Sequence, residues 1–212
     1  MMPLLLLALL IPQAHADDVT TGASWIWYPE SVATEGAGQT RYLRKVVQVE
    51  GAVAEARLRV MADDGYTFRV NGEALPAPLE SGLAGALYDL SSVLKPGENV
   101  LAFSVYNAVG KGGLIVTGSV REAGGREIPI RSDTSFRASR EAPDGWDRPG
   151  FDDSAWPAAS IVGSAVAAPW YLHPAFDMQP FLEPGDQERW AAWREALVAL
   201  PPGLDKEPYA QA

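Results

Sequence analysis

From Val53 to Ala62 the chain alternates with a period of two: Ala54, Ala56, Leu58, Val60 and Ala62 interleave with Val53, Glu55, Arg57 and Arg59. Successive side chains of a strand point to opposite faces, so the pattern predicts a strand with the alanine, leucine and valine set on a core and the charged set in water. Tyr66 to Val70 continues in strand-forming residues and runs into Asn71-Gly72. That pair suits a two-residue hairpin turn, because both positions need positive φ. Val100 to Asn107 predicts another strand, with Leu101, Phe103 and Val105 on one face, and Leu114 to Arg121 a further one. Less regular strands are expected over Trp25 to Tyr28, Arg41 to Val49, Glu127 to Ile130 and Thr134 to Ala138. Asp89 can cap a single helical turn that Pro96-Gly97 ends. Short strands with turn signals at intervals of about 8 to 12 residues predict an all-β sandwich or barrel. No alternation of strands with helices is present, which argues against an α/β nucleotide-binding fold.

Both ends of the chain differ from this middle. Met1 to Ala16 holds an apolar run from Leu4 to Ile11, then Pro12 and Ala14-His15-Ala16, without a preceding Lys or Arg. A short apolar run closed by A-x-A is the pattern of a cleaved secretory signal, and the run falls short of the roughly 20 residues that span a bilayer. The expectation is a signal peptide over residues 1–16, a secreted or periplasmic protein, and a mature chain from about Asp17. A sandwich domain is expected over residues 17–183 and a short C-terminal α-helix with a tail over 184–212. In that helix Asp186 serves as N-cap, Trp190, Trp193, Leu197 and Leu200 form an apolar stripe, and Pro201-Pro202-Gly203 stops it. The stripe docks either on the sandwich or on a partner protein, since two exposed tryptophans on one helix make a large apolar surface.

Composition narrows the function classes. The chain has 212 residues, no cysteine and a formal net charge of -10. It is long enough to bury a core without disulfides. The negative charge argues against nucleic acid and against anionic membranes, both of which attract clustered Lys and Arg. It is compatible with a neutral sugar or with a cation.

Four phrases, in order, resemble the N-terminal carbohydrate-binding domains of bacterial α-L-rhamnosidases and related glycoside hydrolases. They are Thr40-Arg41-Tyr42-Leu43-Arg44-Lys45; Ala62-Asp63-Asp64-Gly65-Tyr66 running to Val70-Asn71-Gly72; Tyr88-Asp89-Leu90 running to Lys95-Pro96-Gly97-Glu98-Asn99; and Asp133 to Ala138 followed by Gly145-Trp146 and Phe151-Asp152-Asp153-Ser154-Ala155-Trp156. The resemblance spans Trp25 to Trp156 and implies a galactose-binding-like jelly-roll β-sandwich associated with carbohydrate-active exported proteins. In the rhamnosidases a large α-helical barrel with catalytic carboxylates follows such a domain. The 212 residues leave no room for one, so hydrolase activity is not implied.

Candidate site residues follow from chemistry. Asp63 and Asp64 in the turn before Tyr66 could hold Ca²⁺ or accept sugar hydroxyls, or bond their own backbone. No cofactor is required by the sequence, and Ca²⁺ is the one this pair would suit. Asp152-Asp153 reads as a capped turn, since neighbouring loop residues rarely give the roughly 5 to 9 Å carboxylate spacing of a glycosidase. Trp25, Trp27, Tyr66, Tyr106, Trp146, Trp156, Trp170 and Tyr171 can stack on sugars or pack in the core. Trp146, in the Gly- and Pro-rich segment Pro143 to Gly150, is the candidate loop platform, and Asn107 can offer its amide to a ligand or make a turn. The expected ligand set is therefore Asp64, Tyr66, Asn107 and Trp146. His173 is the sole histidine after the signal and there is no cysteine to join it in a zinc site. Gly110-Lys111-Gly112-Gly113 reads as a hairpin loop and not a phosphate cradle, because no helix follows it. The pattern points to a non-catalytic carbohydrate-binding or accessory domain. The alternative is an interaction domain of the same fold that docks through Trp190 and Trp193.

Overall fold

The computed structural model describes residues 22–30, 37–75 and 85–164. The segment 1–16, Trp170, Tyr171, His173 and the expected helix with Trp190 and Trp193 lie outside the described residues. Among the described residues eleven strands run in the order β1 (Ser24–Trp27), β2 (Gln39–Val49), β3 (Val53–Asp63), β4 (Gly65–Val70), β5 (Glu73–Ala74), β6 (Ala86–Asp89), β7 (Gly97–Asn107), β8 (Gly113–Glu122), β9 (Glu127–Arg131), β10 (Arg137–Ser139) and β11 (Ser160–Ser164). One sheet has the order β11-β1-β8-β3-β6, with β9 also on β8, and the other has the order β10-β2-β7-β4-β5. All pairings are antiparallel. The chain crosses between sheets at β1–β2, β2–β3, β3–β4, β5–β6, β6–β7, β7–β8, β9–β10 and β10–β11, as the jelly-roll expectation requires.

The space between the sheets holds the main core. Leu43, Val47 and Val49 of β2 meet Leu58 and Val60 of β3, Leu101, Phe103 and Val105 of β7, and Leu114, Val116 and Val120 of β8. Phe103 stacks on Phe68, with ring centroids 4.3 Å apart. The alternation read from the sequence assigns the inner face correctly from Ala56 onward, but at the start of β3 Ala54 is exposed and Val53 packs on the core instead, because the register shifts between Val53 and Glu55. It fails on the outer faces. Arg59, expected in water, is 2% exposed and donates from Nη1 to the Gly85 carbonyl at 3.2 Å. The reason is coverage: Trp25 and Ile115, with Met61 and Val162 against them, bury part of the outer face of the first sheet. On the second sheet Val100 and Ala102 lie under Trp146 and Trp156. A period of two reports which way a side chain points, and not what lies over that face.

The phrases carrying the resemblance are structural joints. Asn71 (φ 53°) and Gly72 (φ 85°) make the two-residue turn between β4 and β5. Asn99 is fully buried; its Oδ1 accepts from Asn71 Nδ2 at 2.9 Å and Lys95 N at 3.0 Å, and its Nδ2 donates to the Lys95 carbonyl at 2.7 Å. Asn71 Oδ1 accepts from Val100 N at 2.8 Å. Asp89 caps a turn by accepting from Ser91 N at 2.9 Å, and Ser91 Oγ accepts from Ala56 N at 2.9 Å. Asp152 caps Ser154 N at 3.0 Å, while Asp153 pairs with Arg44, which is 1% exposed.

Candidate functional site

Strand register places several sequence-selected residues at one end of the sandwich. β3 ends at Asp63 opposite Gly113 of β8, β4 starts at Gly65 opposite Tyr106, and Asn107 closes β7 opposite Gln39 of β2. Asp64 occupies the corner where the chain leaves one sheet for the other. Its N–H donates to the Tyr106 carbonyl at 2.8 Å, and its Oδ2 accepts from Ala108 N at 2.6 Å. The corner carboxylate thus clamps the β7–β8 loop while its side chain stays at the exposed surface. Asp63, on the last position of β3, is half-buried.

Asn107 is fully buried, and its Nδ2 donates to the Gly110 carbonyl at 3.1 Å. That bond fixes the amide orientation, since a carbonyl can only accept. Its Oδ1 has no hydrogen-bond partner. An unmet buried acceptor costs about 1–3 kcal/mol, and this oxygen is closed off from solvent. Gly112 explains the closeness of the loop: a Cβ there would lie 2.8 Å from Asn107 Cβ and 2.9 Å from Trp27 Cη2.

The same end carries an ion cluster that the sequence reading passed over. Glu30, with a side chain fully shielded from solvent, accepts from Arg41 Nε at 2.7 Å, Arg41 Nη2 at 2.9 Å and Trp27 Nε1 at 3.1 Å, and pairs with Arg140 at 3.0 Å. Burial would raise the Glu30 carboxyl pKa; the hydrogen bonds from Arg41 and Trp27 and the charges of Arg41 and Arg140 outweigh it and hold it below its usual value. The Tyr28 ring receives both guanidinium groups, Arg41 at 5.8 Å and Arg140 at 5.1 Å from its centroid. The available signal was Arg41 itself. It falls in the inward register of β2 with Leu43, Val47 and Val49, and a charge in that register needs a partner.

Tyr66 and Trp146 sit elsewhere. The Tyr66 ring packs against the core, and its hydroxyl meets that of Tyr88 at 3.1 Å, joining β4 to β6 across the gap between the sheets. Burial, and then the bond to Tyr88, push the Tyr66 phenol far above its ordinary pKa. Trp146 is 8% exposed, stacked on Trp156 at 6.0 Å and met edge-on by Tyr42 at 5.3 Å. The structure therefore brings Asp63, Asp64 and Asn107 to one end and places Trp146 over the outer face of β2 and β7. Among the described residues no group of three or more His, Cys, Asp or Glu side chains gathers where it could hold a metal ion. Ca²⁺ takes about 6–8 oxygens, so Asp63 and Asp64 alone supply only part of such a shell.

No family model matches the chain. An α-L-rhamnosidase from Streptomyces avermitilis is 38% identical over 157 residues, which cover 70% of this chain and 15% of the enzyme. A crystal structure of Streptomyces avermitilis α-L-rhamnosidase complexed with L-rhamnose superposes with a TM-score of 0.61 at 35% identity, over 71% of this chain and 15% of that one. The sandwich is a rhamnosidase-like jelly-roll domain. The chain spans about a seventh of the length of that curated relative. The rhamnosidase-like domain is also similar to the lectin of Pleurotus ostreatus, with a TM-score of 0.62 and 30% identity over 71% of this chain and 44% of the lectin. A second structure of that lectin, in complex with GalNAc, matches at 28% identity with a TM-score of 0.60.

Proposed function

We propose that this rhamnosidase-like domain is an exported, non-catalytic carbohydrate-binding module of a glycoside hydrolase system, and that sugar is taken at the Asp64–Asn107 end. The observation that carries the reading is the double similarity: one sandwich is like 15% of a rhamnosidase and like 44% of a lectin. That lectin has been solved in complex with GalNAc, and the module takes a sugar-binding role here. Local chemistry supports it. Asn107 Oδ1 is a buried, preoriented acceptor without a partner, and the Asp64 carboxylate lies at the surface of the same end, held by Ala108 N. The acidic pairs support a non-catalytic role, since Asp152 caps a turn and Asp153 is held by Arg44. Export through Met1 to Ala16 belongs to the same reading, and N-terminal sequencing of the protein made by an exporting host tests it.

The deciding experiment is a multivalent glycan array with the full chain, run with calcium and with chelator. Single-site sugar affinities of about micromolar to millimolar are expected, so a multivalent format is needed. A specific hit that weakens in Asp64→Asn, which keeps an acceptor for Ala108 N, supports the reading. Loss of the hit in chelator adds Ca²⁺ to the site. A blank array under both conditions refutes the module reading and turns attention to a protein partner for Trp190 and Trp193.

A further inference from the structure

The outer face of the second sheet is divided. Its lower half is covered: Val100 and Ala102 lie beneath Trp146 and Trp156, and Arg44 is 1% exposed there. Its upper half follows from the register. Thr40, Tyr106 and Gly65 stand opposite one another on β2, β7 and β4, and the next outward row is Tyr42, Ser104 and Thr67. Tyr106 is 46% exposed, an unusual position for a phenol on the central strand of a sheet. Tyr42 lies diagonally from it, at a Cβ separation of roughly 7–8 Å that two aromatic rings can bridge. Trp146 meets the Tyr42 ring edge-on and fixes it.

Gly65 has no local reason to be glycine. Its φ lies outside the left-handed region, and a Cβ placed on it would meet nothing within 4 Å. What glycine provides is an unfilled space beside the Tyr106 ring. The six positions together hold two phenols, three aliphatic hydroxyls and that gap, with no charged group among them. An aromatic face bordered by neutral hydroxyls matches a pyranose ring, which presents C–H groups on one face and hydroxyls around its rim. A charged peptide or nucleic acid would find no counter-charge in this patch.

We propose that this strip is a second sugar-binding surface, separate from the Asp64–Asn107 end, on which Tyr106 and Tyr42 form the stacking platform and Gly65 leaves room for the sugar. It rests on the carbohydrate-binding reading above. The test is an NMR titration of the full chain, with labelled tyrosine rings and backbone amides, using L-rhamnose and GalNAc as the probes. The expected result is a saturable shift of the Tyr106 and Tyr42 ring signals. Tyr106→Ala should weaken the binding seen at Tyr42 roughly three- to tenfold. Gly65→Val, whose Cβ would meet nothing within 4 Å, should abolish the Tyr106 response, while Asp64→Asn leaves it unchanged. Shifts confined to Asp64, Asn107 and Ala108, with the Tyr106 ring silent, overturn this surface and keep the carbohydrate reading. A Tyr106 response that persists in Gly65→Val, or close contacts from Trp190 or Trp193 to the Tyr106 ring, also overturn it. No shift anywhere overturns both.

Discussion

Replacing Glu30 by Gln should destabilise the domain out of proportion to so small a change. The glutamate side chain is fully shielded and Arg41 is 6% exposed, so the substitution leaves a buried guanidinium facing a neutral amide. Removing one member of a buried pair costs about 3–5 kcal/mol, mostly from the charge left behind. Glutamine keeps one acceptor oxygen, which puts the expectation at the low end, about 3 kcal/mol, or a fall in Tm of roughly 6–12 °C for a domain of this size. Urea and thermal unfolding at pH 7, followed by circular dichroism, measure it. The acid limb gives an independent check. Because the folded-state pKa of Glu30 is lowered, the charge stabilises the fold above the carboxyl's unfolded pKa of about 4.3, and that contribution is lost as pH falls through the lowered value. The gap between the parent protein and Glu30→Gln should therefore narrow in acid. Arg140→Ala is the control: that side chain is 52% exposed, and its loss should cost less than about 1 kcal/mol. A Glu30→Gln effect below about 1 kcal/mol, or a gap that does not narrow in acid, would refute the reasoning.

Three further outcomes are expected. Gly118→Ala should lose about 3 kcal/mol or more in urea unfolding, since its Cβ would stand 2.1 Å from the Arg57 carbonyl and 2.9 Å from Leu58 Cα, backbone atoms that cannot swing aside. Asn99→Ala should cost about 2–4 kcal/mol, because the Lys95 amide and carbonyl and the Asn71 amide all lose a buried partner. Asp153→Ala should strand Arg44, costing about 3 kcal/mol. It should also loosen the segment holding Trp146 and Trp156, seen as a red shift in tryptophan emission.

Much of the fold could be read from local pattern. The alternation of β3 and β7 assigns the inner core because a half-buried strand must alternate, and Asn71-Gly72 marks its turn because few other pairs accept those angles. β6 and β11 escaped notice: Ala86–Asp89 and Ser160–Ser164 are short, and Gly163 and Ser164 carry little strand preference. The site was legible only in part. Asp64 and Asn107 could be named as turn-end polar residues, but their meeting depends on strands β3 and β7 lying in different sheets and ending at the same level. Trp146 lies in a segment that looks like a loop, and only the tertiary packing of Tyr42 and Trp156 reveals that it is covered. Glu30 and Arg41 are eleven positions apart in sequence and become partners through a connection with no pattern of its own.

The pairing of the first strand with the last has a consequence for how such a domain travels between proteins. Ser24 of β1 stands opposite Ser164 of β11, so the first and last of the described strands begin and end about 5 Å apart as antiparallel neighbours. A unit with neighbouring gateposts can be spliced into a surface loop of a host without prising the host's own elements apart. The two strands are neighbours in one sheet, with β11 at the end of the described strand order, so a host that pulls them apart strips β11 from the sheet edge before it reaches the core.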